Sequence, residues 1–226
     1  MKILLIDTVT SVGSIALFND DKLLGEITFN TELKHLKVLH IAIKYLLDIC
    51  ETDLNQLNLI GVDIGPGSFT GIRISLTAAK AFSQVLKIGL EGVESLKILA
   101  YQVPFDNSLI VPLIDGKKGR IYTAVFKKES GNVKNLTEYY DISPDNLIKI
   151  LKKDFKEKNL IFTGDGLIPY KEKFLKELEN ITILGEDFYY PRAKNIYYLV
   201  NKENFNKDYE RIDAFYLRKS DAEEKF

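Results

Sequence analysis

The chain has 226 residues, of which 46% are hydrophobic and 28% are charged, and its formal net charge is −1. This charge balance excludes a broadly basic nucleic-acid-binding surface, and a single cysteine, Cys50, excludes an intramolecular disulfide. The initial apolar run is too short for a signal peptide, and no stretch approaches the ~20 apolar residues of a membrane span, so we expect a cytoplasmic protein without a membrane anchor.

The first predicted element is a β-hairpin that occurs a second time in the chain. ILLIDTVTSVGSIALF at residues 3–18 and VPLIDGKKGRIYTAVF at residues 111–126 each read as an apolar strand, a polar turn and a second apolar strand. In both stretches the first strand ends in an aspartate, Asp7 or Asp115. Two short hairpins can resemble each other by chance, so the interpretation of a duplication depends on the elements that follow.

Those elements are predicted in the same order after each hairpin. The first series comprises a strand over 23–29, a helix over 33–51, a strand over 59–64, a helix up to residue 87, a strand over 88–93 and a helix from residue 94. The second series comprises a strand over 133–141, a helix opened by Ser143 and Pro144, a strand over 160–164, a helix over 169–178, a strand over 181–184 and a helix from residue 191. Both halves therefore have the order βββαβαβα.

This repeated order predicts an α/β fold of two duplicated lobes, each with a mixed sheet covered by helices. We predict an N-terminal lobe over residues 1–103, a C-terminal lobe over residues 104–203, and a tail over residues 204–226 that packs back on the N-terminal lobe. Two such lobes are the plan of the ATPases of the actin, sugar-kinase and Hsp70 type, which have a ribonuclease-H-like fold.

In that plan the hairpin aspartates face a nucleotide cleft, which makes Asp7 and Asp115 candidate cleft residues. The TGDG sequence at residues 163–166 ends a strand, so Gly164, Asp165 and Gly166 are candidates for contact with an adenosine. Alternatively, the aspartates accept hydrogen bonds within their own turns and the glycines only turn the chain.

A glycine-rich loop precedes the second helix, and it consists of Gly65, Pro66, Gly67, Ser68, Phe69, Thr70 and Gly71. Its glycine spacing is one residue too long for the dinucleotide-binding fingerprint, and it lacks the lysine that ends a Walker A loop. The alternative to a phosphate loop is a tight strand-to-helix turn, in which Ser68 or Thr70 caps the helix and Gly71 allows close packing.

The helix over residues 33–51 has two apolar stripes at 100° per residue. We assign one stripe to the core of the lobe: Leu36, Leu39, Ile43, Leu46, Leu47 and Cys50. The second stripe is predicted to bind a partner: Val38, Ile41, Ala42, Tyr45 and Ile49. Alternatively, other helices of the same chain bury both stripes.

The helix after the glycine loop has many small residues and one stripe of long polar side chains, namely Arg73, Lys80, Gln84 and Lys87. Small residues allow close helix approach, so we predict that Arg73, Lys80 and Gln84 belong to the same partner-binding face. Two copies of these helices would form a four-helix contact.

The two histidines do not predict a metal site. His35 and His40 are five residues apart, which rotates their side chains by ~140° on a helix, whereas helical metal pairs are three or four residues apart. We therefore predict no metal site, and the sequence offers no set of catalytic residues.

Several stretches together resemble the TsaB (YeaZ) family over nearly the whole chain. They are GPGSFTGIRI at residues 65–74, the two hairpin stretches, and FYLR at residues 215–218. The chain departs from the family pattern DAR-x-x-x-x-Y by reading Asp115-Gly116-Lys117, and in its first long helix by reading KHLKVLH at residues 34–40.

The resemblance implies a subunit of the bacterial machinery that makes threonylcarbamoyladenosine beside the anticodon of tRNA. In that family the protein is regarded as the non-catalytic partner and scaffold of TsaD, and the glycine-rich loop looks like the rigid entry to a partner-binding helix. TsaD has an H-x-x-x-H metal motif, and the spacing of His35 and His40 departs from it.

The same resemblance implies the partners and cofactors. It implies a heterodimer with TsaD, a role for the ATPase TsaE in the complex, a homodimer when the chain is alone, and tRNA contact only through the complex. It implies no cofactor of the chain's own, with ATP or ADP possible in the complex. The alternative function is a small-molecule kinase or ATPase of the same fold.

Overall fold

The structure, a computed structural model, describes residues 1–30, 35–202, 205 and 208–218. The chain forms two units. The first consists of Met1–Ile98 and Pro191–Phe215, and the second consists of Leu99–Tyr190 and the residues from Tyr216 onward.

The first unit is built on a five-stranded mixed sheet. Its strands, in chain order, are β1 (Lys2–Asp7), β2 (Val12–Asn19), β3 (Lys22–Asn30), β4 (Leu57–Asp63) and β5 (Gly89–Val93). The strand order across the sheet is β3-β2-β1-β4-β5; β1 to β3 form an antiparallel meander, and β4 and β5 run parallel to β1. The central strands β1, β2 and β4 are almost continuously apolar, as expected for strands covered on both faces.

Helices cover both faces of this sheet. They are α1 (His35–Ile49), α2 (Phe69–Leu86), α3 (Ser95–Gln102) and a short α6 (Ala193–Ile196). One core includes side chains of α1 and α2 with Leu4 and Ile6 of β1, and another includes α6 with Ile3 and Leu5 of β1. Each face of β1 is therefore covered by a different set of helices.

The second unit repeats the strand order of the first. Its strands are β6 (Ser108–Lys117), β7 (Arg120–Thr123), β8 (Phe126–Glu129), β9 (Asn132–Asn135), β10 (Tyr140–Ile142), β11 (Leu160–Thr163) and β12 (Ile181–Ile183), and its helices are α4 (Pro144–Asp154) and α5 (Lys171–Glu177). The order β10-β7-β6-β11-β12 corresponds strand by strand to the order in the first unit. The predicted duplication and the predicted fold class are confirmed.

Two strands of the second sheet are interrupted where the sequence predicts continuous ones. β7 and β8 pair with successive parts of β6, and β10 and β9 pair with β7 and β8 in turn. Between them the ladder is broken because Val125 N donates to the Thr137 hydroxyl at 3.0 Å, and Leu136 N donates to Val125 O at 2.8 Å. The Thr137 hydroxyl thus replaces a backbone carbonyl as the acceptor for Val125 N.

The units differ from the predicted lobes at their boundaries. The division falls within α3, before the predicted boundary at residues 103 and 104, and α6 belongs to the first unit although the prediction placed residues 104–203 in the C-terminal lobe. The reason is burial: Ala193 and Ile196 of α6 cover an apolar face of the first sheet.

Part of the tail also lies on the first unit. Tyr209, Ile212 and Ala214 pack against the core that α1 and α2 share, and Phe215 N donates to Ile64 O at 2.8 Å. Residues 216–218 belong to the second unit, and the predicted docking of residues 219–226 lies outside the described residues. No helix in the described part of the chain is long and apolar enough to span a bilayer.

The cap of α4 gives a first testable prediction. Ser143 Oγ accepts a hydrogen bond from Asn146 N at 3.3 Å, and Pro144 follows as the first helical residue. Ser143→Ala should therefore lower the free energy of unfolding by about 1 kcal/mol, whereas Ser143→Gly should lower it by only a few tenths of that. Urea unfolding of the two variants measures the difference, and equal stability of Ser143→Ala and the unchanged protein would contradict the assignment of the cap.

Candidate functional site

An apolar face on the outer side of α1 is open to solvent. Ile41 is 70% exposed, and Tyr45 and Ile49 are each 60% exposed. The three side chains are four residues apart, so they lie on one line along the helix; we call them the α1 apolar face. Large apolar side chains that are contiguous and exposed in this way are typical of protein–protein interfaces.

The structure corrects the predicted stripes at three other positions. Ala42 is only 7% exposed and belongs to the core, so its assignment to the partner-binding stripe is wrong. It lies three residues after Leu39 and four before Leu46, both of which are buried, and therefore shares their side of the helix. Val38 is half-buried against the same core, so it is at most an edge of the exposed face.

Leu36, assigned to the core stripe, is instead 63% exposed. Its angular position is close to that of the buried Leu47, because eleven residues make about three turns of helix. Position along the helix axis therefore distinguishes the two: Leu36 is in the first turn of α1, about three turns before Leu47.

The exposed side of α2 carries two of the three residues of this helix that were predicted to bind a partner. The two helices share one core and contact each other, and Arg73, Ala81 and Gln84 of α2 are exposed. Lys80 is less open than predicted because its Nζ lies 3.3 Å from Asp213 Oδ1 of the tail. The exposed side of α2 therefore has small and polar side chains, whereas the α1 apolar face has large apolar ones.

The sequence analysis missed Val85, which is 77% exposed on α2. It lies one turn after Ala81, so the helical spacing that revealed the α1 apolar face could also have revealed it. Contact of either helix with a partner stays a prediction.

The glycine-rich loop packs against the turn after β1. Ser68 N donates to Val9 O at 2.8 Å, and the Thr8 hydroxyl donates to Gly71 O at 2.7 Å. A Cβ at Gly67 would lie 2.3 Å from Val9 Cγ1, and a Cβ at Gly71 would lie 2.0 Å from Thr8 O. Gly67 and Gly71 therefore let the loop lie close to the turn after β1. This packing agrees with the alternative to a phosphate loop, a tight strand-to-helix turn.

Other residues of the loop start α2. Ser68 is its cap and accepts a hydrogen bond from Gly71 N at 3.2 Å, as one of the two predicted capping residues. Gly65 and Pro66 are buried, Phe69 is half-buried and Thr70 is exposed. The loop thus starts α2 and is hydrogen-bonded to the turn after β1.

Asp7, a predicted cleft residue, is fully buried and accepts a hydrogen bond from Val9 N at 2.9 Å. This hydrogen bond agrees with the alternative interpretation, in which the aspartate accepts from a backbone N–H group of its own turn. Beside it lies Asp63 at the end of β4, which is also fully buried and which the sequence analysis did not single out. The side chains of both aspartates are closed off from solvent.

The second hairpin aspartate lies near the TGDG residues. Asp115 Oδ2 is 2.7 Å from Lys117 Nζ, and Asp115 N donates to Asp165 Oδ1 at 3.1 Å. Burial raises the pKa of Asp165 to about 6, and the negative charge of Asp115 raises it as well. The structure thus brings these predicted residues together at one end of β6 and β11, and their contact with a nucleotide stays a prediction.

Gly164 and Gly166 have a structural role at the same place. A Cβ at Gly164 would lie 2.0 Å from Leu113 O, and one at Gly166 would lie 2.9 Å from Leu113 Cβ. Gly164 also has a φ of 103°, a backbone conformation that favours glycine. Both glycines therefore let the chain pass close to β6.

His40 is exposed on α1, and the prediction for the His35 side chain lies outside the described part of the molecule. Within the described residues, no group of three or more histidine, cysteine, aspartate or glutamate side chains is arranged to hold a metal ion.

Comparisons with known proteins agree on one group of relatives. Residues 22–226 match the family model described as "TsaD: tRNA N6-adenosine threonylcarbamoyltransferase". The tRNA threonylcarbamoyladenosine biosynthesis protein TsaB of Bacillus subtilis is 29% identical over all of this chain and 98% of its own length. The protein of the same name from Buchnera aphidicola subsp. Schizaphis graminum is 31% identical over 89% of this chain and 94% of its own length.

A solved structure has the same fold. It is an uncharacterized protein from Pseudomonas aeruginosa with similarity to peptidase YEAZ, and it superposes with a TM-score of 0.82. The superposition covers 96% of this chain and 99% of that one, at 20% sequence identity. At this level of identity the likeness shows the fold alone.

Proposed function

The chain belongs to the TsaB family, and from that membership we propose that it acts in tRNA threonylcarbamoyladenosine biosynthesis as the non-catalytic partner and scaffold of TsaD. The relatives are named for this biosynthesis. In the proposal the chain binds TsaD through its first unit, TsaE joins the complex, and tRNA is reached only through the complex.

The α1 apolar face is the observation that carries the proposal. Ile41, Tyr45 and Ile49 present a line of large apolar side chains to water, although the same helix buries a full core on its other side. An aromatic and branched cluster of this kind suits a helix-on-helix contact with another protein. The same face would pair two copies when TsaD is absent.

The packing around Asp7 favours a scaffold over a small-molecule kinase. In the kinase plan, this hairpin aspartate faces a ligand. Here Asp7 is fully buried, and the glycine-rich loop is bonded to the adjacent turn through Ser68 N and Thr8 Oγ1. A phosphate would have to displace that loop. We therefore place any ATP or ADP in the assembled complex and assign the chain no cofactor of its own.

The proposal is tested by mixing the chain with TsaD of the same organism and measuring the mass of the complex by light scattering after gel filtration. A new species with the summed mass of the two proteins is expected. Reconstituted tRNA modification should then require this chain as well as TsaD and TsaE. Two unchanged masses, or full modification without the chain, would refute the scaffold role.

A further inference from the structure

Two aspartates lie side by side in the interior of the first unit. Asp7 ends β1 and Asp63 ends β4, and these strands pair in parallel with Ile6 opposite Val62. The next residue on each strand is the aspartate, so the two carboxyl groups emerge at the same point of the sheet. Both side chains are fully buried.

One oxygen of each carboxyl group has protein donors. Asp7 Oδ1 accepts from Val9 N at 2.9 Å, whereas Asp63 Oδ1 accepts from Gly65 N at 2.8 Å and from Ser95 Oγ at 2.5 Å. The second oxygen of each, Oδ2, is buried, and no donor group of the described residues reaches it. Neither carboxyl group forms an ion pair within the described part of the chain.

Two ionised carboxylates in this position would be unfavourable in two ways. Each would be a buried charge without a counter-ion, and each would repel the other at close range. A proton between the two Oδ2 atoms removes one charge and gives both oxygens a hydrogen-bond partner, as in other closely paired carboxyl groups.

We propose that Asp7 and Asp63 share one proton, which Asp7 holds on Oδ2 and donates to Asp63 Oδ2. The donors decide which residue keeps the charge. Asp63 as a carboxylate then accepts from Gly65 N, Ser95 Oγ and Asp7, whereas Asp7 has, among the described residues, only Val9 N as a donor. More hydrogen bonds to a carboxylate stabilise its charged form, so the proton belongs on Asp7.

The direction of the pKa shifts agrees with this assignment. Burial, and then the negative charge of Asp63, raise the pKa of Asp7 well above its usual range. Burial also raises the pKa of Asp63, to about 7, while hydrogen bonds from Ser95, Gly65 and Asp7 oppose the rise. Glu94, which precedes α3, is the other charged group that acts on the pair, and it raises the pKa of Asp63.

The shared proton ties together the turns that carry the glycine-rich loop. Asp7 accepts a hydrogen bond from Val9 N, and Val9 O accepts one from Ser68 N at the start of α2. Asp63 accepts a hydrogen bond from Gly65 N within the loop itself. Removal of the proton would leave two like charges between these turns. Since the folded chain keeps the proton at pH values where an unfolded aspartate has lost it, stability must fall as the pH rises from the ordinary aspartate pKa of about 4 to the pKa of the pair.

Asp7→Asn tests the proposal because an asparagine can keep both hydrogen bonds but cannot lose a proton. Its Oδ1 accepts from Val9 N and its Nδ2 donates to Asp63. Above pH ~4, where an aspartate of the unfolded chain has lost its proton, the folded-to-unfolded ratio of the unchanged protein should fall by up to about tenfold per pH unit relative to that of Asp7→Asn, until the pair itself loses the shared proton. Asp154→Asn, which removes an exposed carboxylate from α4, should follow the unchanged protein.

Chemical unfolding over this pH range gives the comparison, and infrared spectroscopy gives a second readout without unfolding. At a pH above the pKa values of Asp165 and Asp63, which are about 6 and about 7, the unchanged protein should show the carbonyl stretch of a protonated carboxyl group, and Asp7→Asn should lack it. Equal pH dependence of the unchanged protein and Asp7→Asn, or no such band in the unchanged protein, would overturn the proposal. Failure of Asp7→Asn to fold near neutral pH, where Asp154→Asn folds, would do the same.

Discussion

Ile41→Glu is expected to abolish the binding of TsaD while leaving the chain folded. Ile41 is the most exposed of the three residues of the α1 apolar face, so its replacement removes no contact from the core. A central apolar anchor contributes about 2 kcal/mol or more to an interface, which is about thirtyfold in Kd. The glutamate also places a charge where water would be excluded, which adds a desolvation cost.

Two control variants separate this effect from misfolding and from a general loss of surface apolarity. Leu39→Glu, on the buried side of the same helix, should unfold the chain because Leu39 is fully buried. Leu175→Glu replaces an exposed leucine on α5 of the second unit and should bind TsaD normally. Circular dichroism reports folding, and gel filtration or calorimetry with TsaD reports binding.

The outcome bears on the assignment of the two sides of α1. If Ile41→Glu binds TsaD as the unchanged protein does, the α1 apolar face is not the contact. If Ile41→Glu unfolds the chain on its own, the exposed and buried sides of α1 have been assigned the wrong way round.

Periodicity predicted the two sides of α1 because the angle around a helix axis is a local property of sequence. It identified Ile41, Tyr45 and Ile49 as one exposed line. It misplaced Leu36, because position along the helix axis as well as angle decides burial. It also misplaced Ala42, although the spacing of Ala42 from Leu39 and Leu46 puts it on the buried side. Duplication of the hairpins likewise predicted the order of the strands, since both copies have the same local pattern.

The carboxyl pair shows where local pattern stops being informative. Asp7 was a candidate because it ends a predicted strand, but its neighbour is Asp63, 56 positions later in the sequence. Only the parallel pairing of β1 with β4 brings the two together. The interruption between β7 and β8 has a similar origin, because the Thr137 hydroxyl that accepts from Val125 N lies between β9 and β10. Such contacts are tertiary, and no single stretch of sequence encodes them.

Gly71→Ala is expected to lower the free energy of unfolding by about 2 kcal/mol, although alanine is the better residue for a helix. Gly71 lies in the first turn of α2, where alanine would be favoured over glycine by about 1 kcal/mol. Its Cβ, however, would lie 2.0 Å from Thr8 O and 3.1 Å from the Thr8 carbonyl carbon. These are backbone atoms, so no side chain can rotate away, and overpacking of this kind costs about 3 kcal/mol.

The control for Gly71→Ala is Gly185→Ala in the second unit. A Cβ at Gly185 would meet nothing within 4 Å, and its φ of −67° suits any residue. Gly185→Ala should therefore change the free energy of unfolding by less than about 0.5 kcal/mol. Urea unfolding of both variants gives the comparison.

Gly71→Ala should also weaken TsaD binding where the chain is still folded. The reason is that the clash would separate α2 from the turn after β1 and break the hydrogen bond from the Thr8 hydroxyl to Gly71 O. A Gly71→Ala variant as stable as the unchanged protein would mean that the loop does not need glycine for close packing against the turn after β1.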